Sequence, residues 1–372
     1  MIYLDNAATS RFKPLCVKIA CLNEIINSAN AGRASHKASV RTAMRIEETR
    51  SLICKHFFDG NVIFTKNCTE ALNLAIFGTS LSKQVITTIY EHNSVLRPLK
   101  YLEKTGKITL KILSPDKDGL IDPLINALSV PTSMVAITAM SNATGYTPPV
   151  AEMAKIIKQK SKALVLVDMA QAAGHISLDY SDIDMIAVPG HKSLHGIQGS
   201  GFLLAKKSVK ISPLLYGGTG ISGLTLDPPI IIPDSLEAGT VNAVGIISLG
   251  KALSWTMKKH EKIVRKIEKL DAFLVDEMKQ IPDIKIYGAA NGIVLFNING
   301  IPSPETGDIL SNEYDICVRS GLHCAPLMHR HLGTGEIGAV RVSIGYNNRK
   351  HDIEAFCDAV REIAENKGVK KD

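Results

Sequence analysis

The sequence predicts an α/β protein built on a mostly parallel sheet with helices on both faces, followed by a smaller α+β unit. Three observations predict it. From about residue 60 to 210, short β-branched runs alternate with helical patterns, the signature of βαβ units. Residues 207–240 break that alternation with Pro213, Pro228, Pro229, Pro233 and glycines at 217, 218, 220, 223 and 239. Irregular segments of this length usually serve function or are disordered. Beyond them, strands and helices follow without strict alternation.

The elements are read in order. Val-Ile-Phe-Thr at 62–65 is a strand, and after a polar turn residues 69–77 form a helix. The strand at 85–89 precedes a helix at 95–104. Strands follow at 108–113, 134–139 and 164–167, with helices at 122–128 and 149–160 between them. Strands at 183–188 and 201–205 close the series. The tail has a long helical pattern from 244 to 280, broken near 258–259. It continues with strands at 284–287, 292–298, 316–319 and 339–344 and helices at 305–311 and 351–364. In an open parallel sheet, ligands bind outside the carboxyl ends of the strands, so those ends are where chemistry is sought.

Composition narrows the function classes. A chain of 372 residues has a prior of two domains and room for a large core. With 45% hydrophobic and 21% charged residues it is not a disordered chain, and no apolar run is long enough to span a membrane. The net charge, 43 − 36 = +7, is spread along helix faces at 258–269 and the chain end at 367–371. Aromatics are 5%, too few for base-stacking platforms, so no nucleic-acid partner is read. The seven cysteines include no C-x-x-C, and Met1-Ile2-Tyr3-Leu4-Asp5 shows no secretory signal. The expectation is reduced thiols and a cytoplasmic protein.

Three motifs point elsewhere and are set aside. Gly218-Thr219-Gly220-Ile221-Ser222-Gly223 matches a dinucleotide fingerprint but lacks the flanking strand and helix. His191 and His195 are four apart, yet Gly190 and Gly196 bracket them and argue for a loop. The stretch His323-Cys324…His329…His331 has no common zinc spacing, so no metal is expected.

Five strand ends converge on chemistry. Asp168 ends the strand at 164–167, and His191-Lys192 follows 183–188. His92 follows 85–89, Asn142 follows 134–139, and Asn67-Cys68-Thr69 follows 62–65 at a helix start. This set suits pyridoxal 5'-phosphate. A helix N-terminus at Cys68-Thr69 favours a phosphate anion. An aspartate keeps the pyridine nitrogen protonated, a lysine bonds the aldehyde, and an imidazole stacks on the ring. Singly, each has an ordinary reading: Asp168 or Thr69 as a cap, Lys192 as a solvated lysine, His92 as a satisfied buried histidine. Jointly, five coincidences favour the cofactor.

The residues also carry a resemblance. Tyr3-Leu4-Asp5-Asn6-Ala7-Ala8-Thr9, Thr69-Glu70-Ala71-Leu72-Asn73, Glu91-His92, Val167-Asp168-Met169-Ala170-Gln171, Gly190-His191-Lys192 and Glu237-Ala238-Gly239-Thr240 run in order along the chain. Arg319-Ser320-Gly321-Leu322-His323-Cys324 and Arg341-Val342-Ser343 complete the series. Together they resemble class V aminotransferases, and within them the cysteine desulfurase / selenocysteine lyase-like branch. The resemblance implies a fold type I PLP-dependent transferase. Its large domain (13–248) would hold a mostly parallel seven-stranded sheet flanked by helices. Residues 1–12 and 249–372 would form a smaller α+β C-terminal domain with the catalytic cysteine loop.

The resemblance also implies roles. Lys192 would anchor the cofactor and shuttle the α-proton, Asp168 would pair with the ring nitrogen and Gln171 with the ring oxygen. His92 would stack on the ring and help protonation. Cys68, Thr69 and His191 would take the phosphate end, joined by Thr240 from the neighbouring subunit of a homodimer. Asn142 and Arg341 would hold the substrate carboxylate, with Arg319 and Arg33 as further substrate contacts. Cys324 would be the nucleophile that takes sulfur from free L-cysteine, or selenium from selenocysteine, releasing alanine and passing sulfur to an acceptor protein. A thiolate is required, and Arg319 and His323 are the local candidates to favour it by positive charge. The spacing 341 − 324 = 17 resembles the short-loop group II branch of SUF-type desulfurases and selenocysteine lyases. Pro189 and Cys68 depart from the family text, where Ser or Thr and Gly or Ala are usual. Other class V chemistry and a cofactor-free sulfur-carrier scaffold are the rival readings.

Overall fold

The computed structural model describes residues 1–32, 36–219, 226–227 and 229–366. Arg33, and the glycine motif beyond Thr219, therefore lie outside the described residues. The chain opens with β1 (Ile2–Tyr3), α1 (Leu15–Asn27) and α2 (Lys37–His56). Then come β2 (Asn61–Thr65), α3 (Cys68–Gly78), β3 (Gln84–Thr88), α4 (Asn93–Lys104), β4 (Thr109–Leu113), α5 (Ile121–Ala127), β5 (Thr132–Thr138) and α6 (Val150–Lys160). β6 (Leu164–Asp168), β7 (Met185–Pro189) and β8 (Gly201–Ala205) complete the large sheet. The tail holds α7 (Ala243–Lys258), α8 (His260–Met278), β9 (Ile284–Ala290), β10 (Ile293–Ile298) and α9 (Ser303–Asn312). It ends with β11 (Ile316–Cys317), β12 (Arg319–Gly321), α10 (Pro326–His331), β13 (Ala339–Ser343) and α11 (Lys350–Asn366).

The large sheet has seven strands in the order β2-β8-β7-β6-β5-β3-β4. β4, β3, β5, β6 and β7 run parallel, and β8 is antiparallel to both β7 and β2. Every residue of β3, β7 and β8 is buried, as expected of strands covered by helices on both faces. The chain leaves β3 outward to β4 and returns past it to β5, so the winding direction reverses between β3 and β5. That switch point opens a crevice at the carboxyl ends. β2 points the same way as β7, so its carboxyl end joins the same rim.

The second sheet is antiparallel in the order β12-β13-β10-β9. The N-terminus belongs beside it: β1 pairs in parallel with β11, and Leu4 is fully buried in a core with Phe296, Phe356 and Val360. The long irregular segment carries only a 3-10 turn at Asp234–Leu236 among its described residues. Glu237 ties it back to the sheet. Its carboxylate takes both terminal nitrogens of Arg50 (2.9 and 2.5 Å) and the backbone N–H of Phe64 (2.6 Å).

Three helices are absent from the sequence reading: α1, α2 and α10. α1 hides because its sequence inverts the usual pattern. Leu15, Ile19, Leu22, Ile25 and Ile26 are exposed while Val17, Ala20 and Glu24 are buried. Buried Glu24 is matched by Arg45 of α2 in a direct ion pair. The predicted break in the long tail helix falls at Lys259, between α7 and α8. Among the described residues no helix is long and apolar enough to cross a membrane.

Candidate active site

The crevice is built first by α3. Asn67 caps it, its side-chain oxygen accepting from Glu70 N (2.9 Å), and Glu70 Oε2 accepts in return from Lys66 N (2.6 Å). This reciprocal cap fixes the helix start directly behind β2. The first-turn N–H groups of Cys68 and Thr69 have no intrahelical partner, and both residues line the pocket. Such a terminus holds an anion through its N–H groups and dipole.

His92 caps α4 on the facing rim. Ser94 N donates to His92 Nδ1 (3.0 Å), so the neutral ring carries its proton on Nε2. Ser94 Oγ lies 2.8 Å from His92 Nδ1 and 2.7 Å from Thr69 Oγ1, linking the ring residue to the anion end. Burial, with Lys192 and other cations nearby, pulls the His92 imidazole down to about 4.

Asp168 and Lys192 come from adjacent parallel strands. Asp168 is buried at the end of β6, and its Oδ1 accepts from Ala170 N (2.8 Å) and faces Cys68 Sγ at 3.5 Å. Burial raises the Asp168 carboxyl; Ala170 N–H and Lys192 oppose the rise. Lys192 follows β7 in a turn that needs Gly190, since a Cβ there would collide with Ser200 Oγ. Burial lowers the Lys192 amine, Asp168 and Cys68 oppose, and Arg341 and Arg319 add to the lowering. A depressed lysine offers more of the free amine that bonds an aldehyde.

The N-terminal strap closes the site from the other side. Gln171 Nε2 donates to Ala7 O (2.9 Å), and His191 Nδ1 lies 3.2 Å from Thr9 Oγ1. Asp5 Oδ1 accepts from Arg341 Nη2 (2.7 Å), while Arg341 Nη1 donates to Asn142 O (2.9 Å). Arg341 is only 1% exposed, and its Nε and the Oδ1 of Asn142 are buried without partners. One donor and one acceptor thus lack a partner within the described residues.

The cysteine loop docks on the same rim. Asn93 N donates to Cys324 O (2.8 Å), and Asn142 Nδ2 donates to His323 O (2.7 Å). The loop is therefore held by the residue after His92 and by one pocket-lining residue. Cys324 is half-buried.

Of the residues read from sequence, eight line one pocket: Cys68, Thr69, His92, Asn142, Asp168, Gln171, His191 and Lys192. Pro189 lines it too and brings no side-chain donor. Cys324, Arg319 and Arg341 stand outside the lining but beside it, through the contacts above and the charge acting on Lys192. Thr240 is exposed and does not line the pocket of its own chain. The expectation that His323 supplies positive charge is corrected: burial pulls its imidazole down to about 3, so it is neutral. His195 is not on a helix with His191; it has φ +62° and its Nδ1 lies 3.4 Å from Thr256 Oγ1. Among the described residues no group of three or more His, Cys, Asp or Glu is placed to hold a metal. Asp5 and Ser94 are site residues that the sequence reading did not assign. Ser94 had a signal, its position two residues after a capping histidine; Asp5 had only its place in the quoted N-terminal motif.

These residues fit pyridoxal 5'-phosphate. The α3 terminus and His191 suit the phosphate, the buried Asp168 carboxylate suits a protonated pyridine nitrogen, and Lys192 suits the aldehyde. The aminotransferase class-V family profile matches residues 2–356. A cysteine desulfurase of Wigglesworthia glossinidia brevipalpis is 32% identical, over 98% of this chain and 92% of its own. The apo structure of a cysteine desulfurase from Thermococcus onnurineus superimposes with a TM-score of 0.89 at 29% identity, covering 98% of this chain and 95% of its own. A cysteine desulfurase structure from Escherichia coli gives 0.84 at 27%, covering 98% and 94%. The family depends on pyridoxal phosphate. By its profile match, its relatives and its fold, this chain belongs to the class-V aminotransferase family.

Proposed function

We propose that this protein is a cysteine desulfurase: it takes L-cysteine, releases L-alanine, and carries the sulfur as a persulfide on Cys324 for an acceptor protein. The observation that carries the reading is the Asn93 N to Cys324 O hydrogen bond (2.8 Å), which fastens the cysteine loop beside His92 on the pocket rim. A transaminating site needs no thiol there.

The α3 terminus, Thr69 and His191 would hold the cofactor's phosphate, Asp168 its ring nitrogen, Gln171 its ring oxygen and Lys192 its aldehyde. The cofactor, when bound, supplies an electron sink that weakens the bonds at the substrate α-carbon. Arg341 orients the substrate carboxylate with its unpartnered Nε–H, and Asn142, whose Nδ2 is taken by His323 O and whose Oδ1 only accepts, holds the Arg341 guanidinium through its backbone carbonyl. The Lys192 amine takes the α-proton. The Cys324 thiolate attacks the substrate sulfur: the substrate C–S bond breaks, its electron pair stays with the carbon, an S–S bond forms on Cys324, and the carbon skeleton leaves as alanine after gaining a proton at Cβ and regaining the one at Cα from Lys192. His92, neutral with Nε2–H, is the donor on the ring side.

A homodimer fits the same reading. Thr240 is exposed, does not line its own pocket, and is free to meet a second copy. α1 presents Leu15, Ile19, Leu22 and Ile26 to solvent at helical spacing, an apolar stripe suited to burial between copies. The test is product analysis with L-cysteine and a reductant. Alanine and sulfide in equal amounts, lost together with the visible cofactor band in Lys192→Ala, support the proposal. A keto acid in place of alanine overturns it.

A further inference from the structure

The stretch that mimics a metal set in sequence is a hydrogen-bonded chain in the structure. His331 is exposed, whereas His323, His329 and Thr334 are buried. His323 Nε2 lies 3.1 Å from Arg319 O, His323 Nδ1 lies 3.0 Å from His329 Nε2, and His329 Nδ1 lies 2.8 Å from Thr334 Oγ1. A carbonyl only accepts, so His323 carries its proton on Nε2 and its Nδ1 must accept. His329 Nε2 must then donate, which leaves its Nδ1 to accept the Thr334 hydroxyl proton at 2.8 Å, the shorter of that hydroxyl's two contacts, the other being His329 O at 3.2 Å. Any other neutral assignment sets two lone pairs against each other in a buried site. Burial lowers both imidazoles, in keeping with an uncharged pair. Every donor in the series points toward the loop: Thr334 to His329, His329 to His323, His323 to Arg319 O.

The loop needs such support. His323 and Cys324 have φ of +51° and +56°, two consecutive non-glycine residues in the left-handed region. This conformation is strained for a non-glycine residue and persists only where the surroundings enforce it. Asn142 and Asn93 hold the two carbonyls from the pocket side. The imidazole chain holds the other side.

We propose that His329 is a positioning residue for the reaction: through His323 it locks Cys324 into the left-handed turn that presents its sulfur to the substrate. This rests on reading Cys324 as the sulfur acceptor. The required group at residue 329 is one donor at the Nε2 position, not a titrating imidazole. Glutamine places an amide N–H there; asparagine, one methylene shorter, places it near Nδ1 instead.

The test compares holoenzymes of the wild type, His329→Gln, His329→Asn and Thr334→Val. It measures kcat and KM for L-cysteine, the visible cofactor band, and the iodoacetamide alkylation rate of Cys324 by peptide mapping. His329→Asn lowers kcat about tenfold or more, while the cofactor band and KM stay near wild type. Its Cys324 alkylation rises, because a half-buried thiol is released from its turn. His329→Gln restores both values. Thr334→Val, which removes only the distal hydroxyl, shifts both in the same direction by less and serves if His329→Asn does not fold. His329→Asn with wild-type kcat and alkylation, or His329→Gln as impaired as His329→Asn, overturns the lock. Persistent desulfuration by Cys324→Ala overturns instead the sulfur-acceptor reading, and the alkylation comparison still tests the lock.

Discussion

Glu91 is a fully buried acid one residue before the pocket histidine. Its Oε1 accepts from Thr88 Oγ1 (2.8 Å) and Thr138 N (2.9 Å), and its Oε2 has no partner. Burial raises its pKa from 4.5 to about 8; the two hydrogen bonds oppose the rise and Asp168 adds to it. The folded chain therefore keeps a proton that the unfolded chain has released, and between those two values stability falls as pH rises. The slope is about 1.4 kcal/mol per pH unit, on the order of 3 kcal/mol between pH 5 and pH 7. Glu91→Gln reproduces the protonated acid: the amide oxygen takes both hydrogen bonds and the NH2 replaces the protonated Oε2. The variant is thus predicted to match the wild type near pH 5 and to gain stability over it as pH rises to 7. Urea unfolding of both proteins across that range measures the difference directly, because every other titrating group cancels. A difference that stays flat from pH 5 to pH 7 refutes the reasoning, since Glu91 would then ionise alike in both states.

Two other perturbations separate the core from the site. Phe296→Ala removes a fully buried ring stacked edge-on against Phe356 (centroids 6.0 Å apart). It is expected to cost about 3–5 kcal/mol in urea unfolding, and a loss under 1 kcal/mol would contradict the packing described. Asp5→Asn leaves the buried Arg341 without its counter-charge. It should destabilise the protein by about 3 kcal/mol and raise KM for L-cysteine more than it lowers kcat, and an unchanged KM would remove Asp5 from the substrate site.

The parts of this fold legible in sequence are those whose burial follows a simple period. β6, β7 and β8 are short, mostly apolar runs and β3 a buried, β-branched one because helices cover both faces, and the carboxyl ends of β3, β6 and β7 carry His92, Asp168 and His191-Lys192 in plain view. α1 was illegible because its apolar side faces solvent in the single chain and an acid, Glu24, faces inward. The site shows the same division. Residues at strand ends announce themselves by position. Asp5 does not, because its partner Arg341 is 336 residues away, and Ser94 has only its place after a capping histidine, an ordinary setting for serine. His329 lies in a stretch set aside as a poor metal set, and its actual role stays hidden because sequence lists residue types but not which nitrogen meets which acceptor. The charge assigned to His323 failed for a related reason: its burial against His329 is a tertiary fact that removes the proton.

The central claim is that Cys324 takes the sulfur. Reacting the holoenzyme once with L-cysteine under anaerobic conditions and mapping trapped persulfide by mass spectrometry tests it most directly. The expected result is one persulfide per chain on Cys324, formed in step with one alanine, with both lost in Cys324→Ala. Persulfide on another of the seven cysteines, or full alanine release by Cys324→Ala, would contradict it.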